Sequence, residues 1–402
     1  MRVKVAEENA MTLDQLELPK IDWYETPAPL PTALRPLSSQ ERLPLVDALR
    51  GFAILGVLLA YTLWNLGSPP AEQWSALDRA IDFIGAAFVD TKFLTTFAFL
   101  FGAGTAHQWW RARLRGVNVA GFHTRRMLFL LVVGLAHGAL LRNGDILAPY
   151  ALLGLMLLAV RKATARQLVV VAILLALLPY GVRPVMKAAG LSFIGRPELQ
   201  RSQSYLAANF VWLRYWYATN TLTEWPRILA VMIAGVWAER TGFIDRLAMS
   251  RRFALRVLIG AATVAVVSYG LVYVIAFIWK AERAPMVRLP VLSQTFYLSA
   301  WSLAAAYAAA FALLCRRPGW LARLGWLRSV GRMAFTNYLL QASLVVPACL
   351  VFGWFDTVTP SRGVLLAVAV MSIQIPFSVW WLNRFEYGPV ELLWRNATYG
   401  RR

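Results

Sequence analysis

The sequence predicts an all-α protein, a polytopic bundle of about ten transmembrane helices with both termini in the cytoplasm. Long apolar runs recur along its 402 residues, of which 58% are hydrophobic and 13% aromatic. A run of about 18 or more such residues is long enough to cross a bilayer as a helix. The basic residues, which give a net charge of +20, cluster between the apolar runs, where lysine and arginine set membrane orientation. That distribution argues against nucleic acid as a partner.

The chain divides into an N-terminal arm and one membrane-embedded domain. Residues 1–41 contain prolines and acidic residues but no apolar stretch of the kind that signal peptides carry. We expect a cytoplasmic, partly disordered tail, and a regulatory role for it stays open. Residues 42–402 form a single transmembrane bundle. Its expected spans are 45–66, 92–110, 126–141, 146–160, 167–181, 226–238, 253–279, 291–314, 330–352 and 364–382.

The orientation follows from the loops. Arginine clusters come after the second, fourth, sixth, eighth and tenth expected spans, whereas the loops 142–145 and 353–362 are less basic. Because basic loops stay in the cytoplasm, this alternation predicts that both termini lie there. The expected spans make the lipid bilayer the principal partner.

Two segments outside the spans are amphipathic or aromatic. Residues 74–89 carry charges on one side and should lie along the membrane interface. The long outer connection 182–225 is rich in tyrosine and tryptophan, which suit headgroup depth. It predicts either an interfacial helix that caps the bundle or a lid over an outward-facing cavity.

The first span carries a carboxylate and a guanidinium in its first turn. Asp47 and Arg50 are three residues apart and share one helical face. Charges in a membrane segment are costly and mark substrate sites, but a pair near the helix entrance also serves as an interfacial anchor. Both interpretations stay open.

The second to fourth spans hold the candidate bases. Asp90 and Lys92 stand at the outer mouth of the second span, and Asp145 faces the same side from the turn after the third. His137 lies toward the outer leaflet, where a neutral imidazole relays protons or packs against a hydrogen-bond partner. Small-residue pairs, Gly102 with Ala106 and Gly134 with Gly138, let helices approach closely and would permit a homodimer.

The start of the ninth span is unusually polar. Arg332 and Thr336 fall on one stripe, and Asn337 and Gln341 on the next. Hydrogen-bonding groups cannot face lipid cheaply, so these four should line a helix interface or a substrate cavity.

Metal and permanent cofactor sites are not indicated. The chain has no zinc-spaced set of cysteine and histidine and no glycine-rich phosphate loop. Of its two cysteines, Cys349 falls in an expected span and Cys315 directly follows one, so we expect no structural disulfide.

Five ordered motifs resemble one family. They are RLPLVDALRGFAILGVLLA, DTKFLTTFAFLFGAG, RNGDILAPYALLGL, VGRMAFTNYLLQAS and RFEYGPVELLWRNATYG. The chain from about Arg42 onward is similar to the YeiB-like bacterial inner-membrane proteins, whose C-terminal half is catalogued as a domain of unknown function. That group is more distantly similar to membrane acyltransferases of the acyltransferase-three and heparan glucosaminide acetyltransferase types.

The resemblance implies acyl transfer from cytoplasmic acyl-CoA, as a co-substrate, to an outer-side sugar, lipid or small metabolite. The sequence departs from the acyltransferases at their histidine. Acyltransferase-three proteins carry a catalytic histidine eleven positions after the arginine that matches Arg50, and here that position is Tyr61. The glucosaminide type has its histidine after the first span, and residues 65–89 contain none.

If acyl transfer occurs, Asp90, Asp145 or His137 must therefore act as the base. The resemblance further implies that cytoplasmic arginines hold the acyl donor's phosphates, although the same arginines are also topology signals. They are Arg111, Arg113, Arg125 and Arg126.

Two further function classes stay open. A transporter of a small solute or lipid would line its path with Asp47, Arg50 and the polar stripe of the ninth span. Transporters often contain internal repeats, and the two halves of this chain show no clear one. The third class is a membrane scaffold without chemistry of its own.

Overall fold

The computed structural model of the chain describes residues 43–141, 145–188, 205–278 and 285–399. The expected N-terminal arm, residues 142–144 of the turn before Asp145, and residues 189–204 of the outer connection lie outside the described part of the chain.

The fold is all-α, as predicted, and the described ranges contain no β-strand. The α-helices are α1 (Pro44–Trp64), α2 (Ala76–Phe88), α3 (Lys92–Leu114), α4 (Val119–Leu140), α5 (Leu147–Met156), α6 (Ala165–Ala188), α7 (Tyr205–Asn220), α8 (Trp225–Arg240), α9 (Phe243–Met249), α10 (Arg251–Ile278), α11 (Pro285–Cys315), α12 (Trp320–Arg323), α13 (Gly325–Arg332), α14 (Ala334–Phe352), α15 (Pro360–Leu382) and α16 (Pro389–Tyr399). Short 3-10 helices occupy Ala71–Gln73 and Leu157–Val160.

Within these residues, eight helices are long and apolar enough to cross a membrane. They are Pro44–Trp64, Ala76–Leu114, Val119–Leu140, Ala165–Val182, Arg251–Val272, Thr295–Cys315, Ala334–Phe352 and Pro360–Leu382. The other two expected spans correspond to shorter helices. The fourth is α5 with the 3-10 turn that follows it, and the sixth is α8, which has Pro226 in its first turn. A total of ten crossings stays a prediction.

The outermost helices present apolar side chains outward. In α6, Leu174 is 62% exposed, and in α10, Val266 is 73% exposed. Helix α10 packs chiefly on α11. Apolar surface of this extent on long helices is what a lipid environment accommodates, so the chain is an integral membrane protein.

Glycines allow the inner helices to cross at short range. A methyl group added at Gly102 of α3 would lie 1.9 Å from the carbonyl oxygen of Met232 in α8. One added at Gly331, at the end of α13, would lie 1.9 Å from the carbonyl oxygen of Asp47 in α1. The backbones at both crossings are therefore in direct contact, as small residues permit.

Arginines at the predicted cytoplasmic side tie the connections to the bundle. Arg240 donates to the carbonyl oxygens of Ala163 and Arg161, each at 2.7 Å, and Arg316 donates to the carbonyl oxygen of Ala248 at 2.8 Å. These arginines therefore satisfy backbone acceptors at chain turns.

Candidate functional site

A cavity of about 300 Å³ lies among the ends of α1, α3, α5, α7, α8 and α11. Its aromatic wall consists of Tyr61, Trp64, Tyr150, Trp216, Trp225, Tyr297 and Trp301. Its ionisable side chains are Asp90, Asp145, Glu224 and Arg227. With the predicted orientation, α1 runs outward from the cytoplasm, and the cavity lies in the outer half of the bundle.

Asp145 is the centre of a hydrogen-bond network in one wall of the cavity. Its Oδ1 lies 2.9 Å from Nδ1 of His137 and accepts a hydrogen bond from the hydroxyl of Tyr338 at 3.0 Å. Its Oδ2 accepts from the backbone N–H of Ala148 at 2.9 Å, which caps the start of α5. The Tyr338 hydroxyl in turn accepts from the N–H of Ile146 at 3.1 Å.

His137 is buried beside Asp145. An ionised Asp145 carboxylate places the imidazole proton on Nδ1, because that nitrogen faces the carboxylate. Nε2 is buried and has no hydrogen-bond partner within the described ranges. The arrangement is that of a histidine oriented by a carboxylate, although His137 stands behind the cavity wall and Asp145 reaches the wall itself.

Glu224 and Arg227 form a second polar wall. Arg227 donates to Oε1 of Glu224 at 3.1 Å and to the hydroxyl of Tyr180 at 2.9 Å. Its guanidinium lies 4.1 Å from the ring centre of Tyr297, whose hydroxyl donates to Oε2 of Glu224. The arginine is only 2% exposed and is neutralised by this network.

Asp90 lies at the mouth of α3. No other side chain in the described residues donates a hydrogen bond to its carboxylate or forms an ion pair with it. The neighbouring Lys92 is fully buried. Its Nζ donates to the carbonyl oxygen of Ala86 at 2.6 Å and lies 4.6 Å from the ring centre of Phe296.

The backbone between these two residues is strained. Thr91 lines the cavity with φ of 61°, in the left-handed region that a β-branched residue rarely adopts. Strain of this kind persists where the surrounding structure imposes it, and it occurs often at functional sites.

The structure thus brings Asp90, Asp145 and Tyr61 together at one cavity, with His137 behind Asp145 and Lys92 behind Asp90. It places the other predicted cavity residues elsewhere. Asp47 and Arg50 form a 3.0 Å ion pair in the first turn of α1, at the end opposite the cavity.

The polar stripe of the ninth span forms helix interfaces and does not line the cavity. Asn337 donates to the hydroxyl of Ser378 at 3.0 Å, and Gln341 donates to the carbonyl oxygen of Ile54 at 3.0 Å. Thr336 and Arg332 contact the C-terminal segment: Thr336 donates to Glu391, and Arg332 donates to the carbonyl oxygen of Glu386. The physical reason is proximity: neighbouring helices supply partners for Thr336, Asn337 and Gln341, and the connection before α16 supplies one for Arg332.

The predicted acyl-donor arginines lie at the ends of α3 and α4 farthest from the cavity. Arg111 and Arg126 are buried, whereas Arg113 and Arg125 are exposed. Arg126 lies 4.3 Å from the ring centre of Trp394, and its carbonyl oxygen accepts from the indole N–H at 3.2 Å. Arg126 therefore packs against the C-terminal helix in this structure.

Glu224 and Arg227 are functional candidates that sequence reasoning missed. They repeat the spacing of Asp47 and Arg50, an acidic residue three positions before an arginine at the start of an apolar helix. That repeated spacing was the available signal. In the described residues, no group of three histidine, cysteine or acidic side chains could hold a metal ion.

The chain is similar to a domain family and to three bacterial proteins. Residues 238–401 match the family described as "Protein of unknown function (DUF418)". The chain is 27% identical to "Uncharacterized protein YxaH" of Bacillus subtilis, over 92% of this chain and 97% of that protein. It is 28% identical to "Uncharacterized 39.9 kDa protein in amylase 3'region" of Bacillus acidopullulyticus, over 91% and 96%. It is 29% identical to "Uncharacterized protein YeiB" of Escherichia coli, over 89% and 96%.

No solved structure matches the chain. The matches extend over nearly the full length of the bacterial proteins, so the similarity covers the cavity as well as the C-terminal segment.

Proposed function

We propose that this chain, a member of the YeiB-like family, is a membrane acyltransferase that binds its acceptor in the outer-half cavity. The acceptor is a small molecule or glycolipid with a hydroxyl or amino group, and cytoplasmic acyl-CoA is the donor. The observation that carries the proposal is the meeting of Asp90, Asp145 and Tyr61, from three separate segments, at one cavity. The proposed location is the inner membrane of a bacterium.

Asp90 is the proposed general base. The Asp145 carboxylate already accepts three hydrogen bonds, and Glu224 is engaged by Arg227 and Tyr297. Of the three cavity carboxylates, Asp90 has no side-chain donor within the described residues, which leaves an oxygen available for a proton.

The proposed reaction is direct transfer. Asp90 accepts the proton of the acceptor hydroxyl or amine while the acceptor oxygen or nitrogen attacks the thioester carbonyl carbon. The carbon–sulfur bond then breaks, and the proton moves from Asp90 to the departing thiolate of CoA. Asp145 and His137 hold the shape of the cavity wall, and Arg113 and Arg125 are exposed at the predicted cytoplasmic side, from which acyl-CoA would enter.

The test uses inverted membrane vesicles from a bacterial host that expresses the protein, supplied with radiolabelled acetyl-CoA. Label should enter a lipid, glycan or small-molecule fraction. Asp90→Asn should lower the rate by about 100-fold or more, the size of a general-base contribution. Glu72→Gln, an exposed carboxylate on the same predicted side, should leave the rate unchanged. Label incorporation that is insensitive to Asp90→Asn would exclude Asp90 as the base.

Transport is the second candidate, and two ionisable residues within a candidate span favour it: Asp90, which is half-buried, and Lys92, which is fully buried. A transporter would move solute across vesicle membranes without consuming acyl-CoA. Solute uptake that is abolished by Asp90→Asn, together with no label transfer, would favour transport over acyl transfer.

A further inference from the structure

The ionisable groups that line the cavity are biased toward negative charge. Three carboxylates face one guanidinium, and that guanidinium is already paired with Glu224 at 3.1 Å. Asp145 is held by His137, Tyr338 and a backbone N–H. Asp90 therefore remains as the carboxylate whose charge no neighbouring side chain neutralises by an ion pair.

The nearest cation in sequence does not take that role. Lys92 directs its Nζ to the carbonyl oxygen of Ala86 and to the ring of Phe296. No ion pair joins Lys92 to Asp90 in the described residues, and Asp90 lines the cavity, so a cation bound there would lie beside it.

The rest of the lining suits an organic cation. Four indole side chains, those of Trp64, Trp216, Trp225 and Trp301, line the same cavity as Asp90. Indole rings are the aromatic groups that attract ammonium ions most strongly, and a carboxylate beside them adds a counter-ion. A sugar without charge would leave Asp90 unpaired in a largely apolar site, which is unfavourable.

One side chain that lines the cavity, that of Trp216, has a hydrogen-bond donor without an acceptor among the described residues. The Nε1–H of Trp216 is buried and has no partner within the described ranges. An indole N–H can only donate. The group is closed off in this structure, so a hydroxyl or ester oxygen on the ligand would satisfy it once the Trp216 ring turns toward the cavity.

We propose that the cavity binds a small molecule or lipid headgroup in which an alkylammonium group stands beside a hydroxyl or ester oxygen, with Asp90 as its counter-ion. This assignment rests on the proposed function for the cavity being the acceptor site, and it names the acceptor's class as an amino alcohol or its ester. Free amino alcohols and the headgroups of amino-alcohol phospholipids share this chemistry.

The test measures binding alone, without acyl-CoA. The protein is placed in nanodiscs of phosphatidylglycerol, which carries no ammonium group. Choline and ethanolamine are titrated against tryptophan fluorescence beside their neutral counterparts, 3,3-dimethylbutan-1-ol and propan-1-ol. At least one cation should bind about tenfold or more tightly than its neutral counterpart. Asp90→Asn should remove that preference, and Glu72→Gln should retain it.

Equal binding of each cation and its counterpart, or no binding of any of the four, would overturn the assignment. The wild-type comparison suffices even if Asp90→Asn fails to fold. In nanodiscs that also contain phosphatidylethanolamine, weaker apparent choline binding identifies a lipid headgroup as the occupant, and unchanged binding identifies a free solute. Because acyl-CoA is absent, a failure of acyl transfer leaves this result unaffected, and acyl transfer with no ammonium preference would overturn this assignment alone.

Discussion

Tyr338 shows how one side chain joins the cavity wall to the rest of the bundle. Its hydroxyl donates to Asp145 in the turn before α5 and accepts the backbone N–H of Ile146 in the same turn. It is 1% exposed and lies in α14, far from that turn in sequence. Its hydroxyl thus acts as both a hydrogen-bond donor and a hydrogen-bond acceptor.

Tyr338→Phe should therefore destabilise the protein by about 1–3 kcal/mol, because the buried N–H of Ile146 loses its acceptor. The measurement is the free energy of unfolding in mixed micelles. Tyr307→Phe is the matched control, since the Tyr307 hydroxyl donates to the carbonyl oxygen of Phe88 at an exposed site. Equal losses in both variants would contradict the role assigned to Tyr338.

Glu391 caps a helix from a distance. Its carboxylate accepts from the backbone N–H groups of Phe335 and Thr336, at 2.8 and 3.1 Å, and from the Thr336 hydroxyl at 2.5 Å. These are orphan donors in the first turn of α14, which otherwise has no side-chain cap. The C-terminal helix α16 is thereby attached to the bundle.

Glu391→Ala should lower the free energy of unfolding by about 1–3 kcal/mol, because two buried backbone N–H groups lose their acceptor. Glu386→Ala should have little effect, since its carbonyl oxygen still accepts from Arg332 and its carboxylate accepts from the Tyr387 hydroxyl at an exposed site. Similar losses in both variants would show that the capping contacts contribute little.

The Glu391 carboxylate also makes the free energy of unfolding depend on pH. Burial raises the pKa of Glu391 above its ordinary 4.5, against the lowering effect of the hydrogen bonds from Thr336 and Phe335. The folded state then binds the proton more tightly than the unfolded state. The stability from this group should be present below pH 4.5 and lost as the pH rises through the raised pKa. Wild type should lose stability relative to Glu391→Gln across that range, and the opposite trend would show a lowered pKa.

Sequence reasoning found part of this site and missed part of it for a physical reason. Asp90 and Asp145 were detectable because a carboxylate at the mouth of an apolar run is rare. Glu224 fell at the end of the outer connection and Arg227 at the start of the sixth expected span, and the sequence does not show that they pair. Only the packing of α8 against α3 brings them to the cavity.

Between helices, short-range crossings decide the architecture. The small residues that the sequence predicts as a possible dimer surface instead contact other helices of the same chain. Gly102 contacts the backbone of α8, and Gly134 of α4 contacts the backbone at Ala148 of α5. A homodimer stays a prediction and would need a face other than these.

Two glycines of α3 test whether the short-range crossing of α3 and α8 stabilises the protein. Gly102→Ala should destabilise the protein by about 1–3 kcal/mol, because the added methyl meets the Met232 carbonyl oxygen at 1.9 Å. Gly104→Ala, two residues away with nothing within 4 Å of the added methyl, should be neutral or stabilising by up to about 1 kcal/mol. Unfolding in mixed micelles compares the two, and a larger loss at Gly104 would contradict this crossing.

The polar stripe of α14 marks the limit of periodicity as a guide. Spacing shows that Asn337 and Gln341 must avoid lipid. It does not show whether they meet a neighbouring helix or a ligand, because both provide hydrogen-bond partners. The structure shows that these two side chains meet neighbouring helices. Helices α1 and α15 lie beside α14, where the carbonyl oxygen of Ile54 accepts from Gln341 and the hydroxyl of Ser378 accepts from Asn337.

Across the whole protein, the predicted orientation and the position of the cavity depend on each other. The arginine-rich ends of the helices gather at one side, where Arg240 and Arg316 bind turn carbonyls, and the cavity lies toward the other. If the basic side is cytoplasmic, the cavity receives its ligand from outside the cell or from the outer leaflet.

Single cysteines placed on either side test that orientation. Thr357 lies in the connection between α14 and α15, Arg125 lies in the first turns of α4, and both are exposed. The native Cys315 and Cys349 are buried, which keeps their background reaction low. In intact cells, a membrane-impermeant maleimide should label Thr357→Cys, whereas Arg125→Cys should react only after the membrane is permeabilised. The reverse pattern would place the cavity on the cytoplasmic side and make an outer-leaflet acceptor untenable.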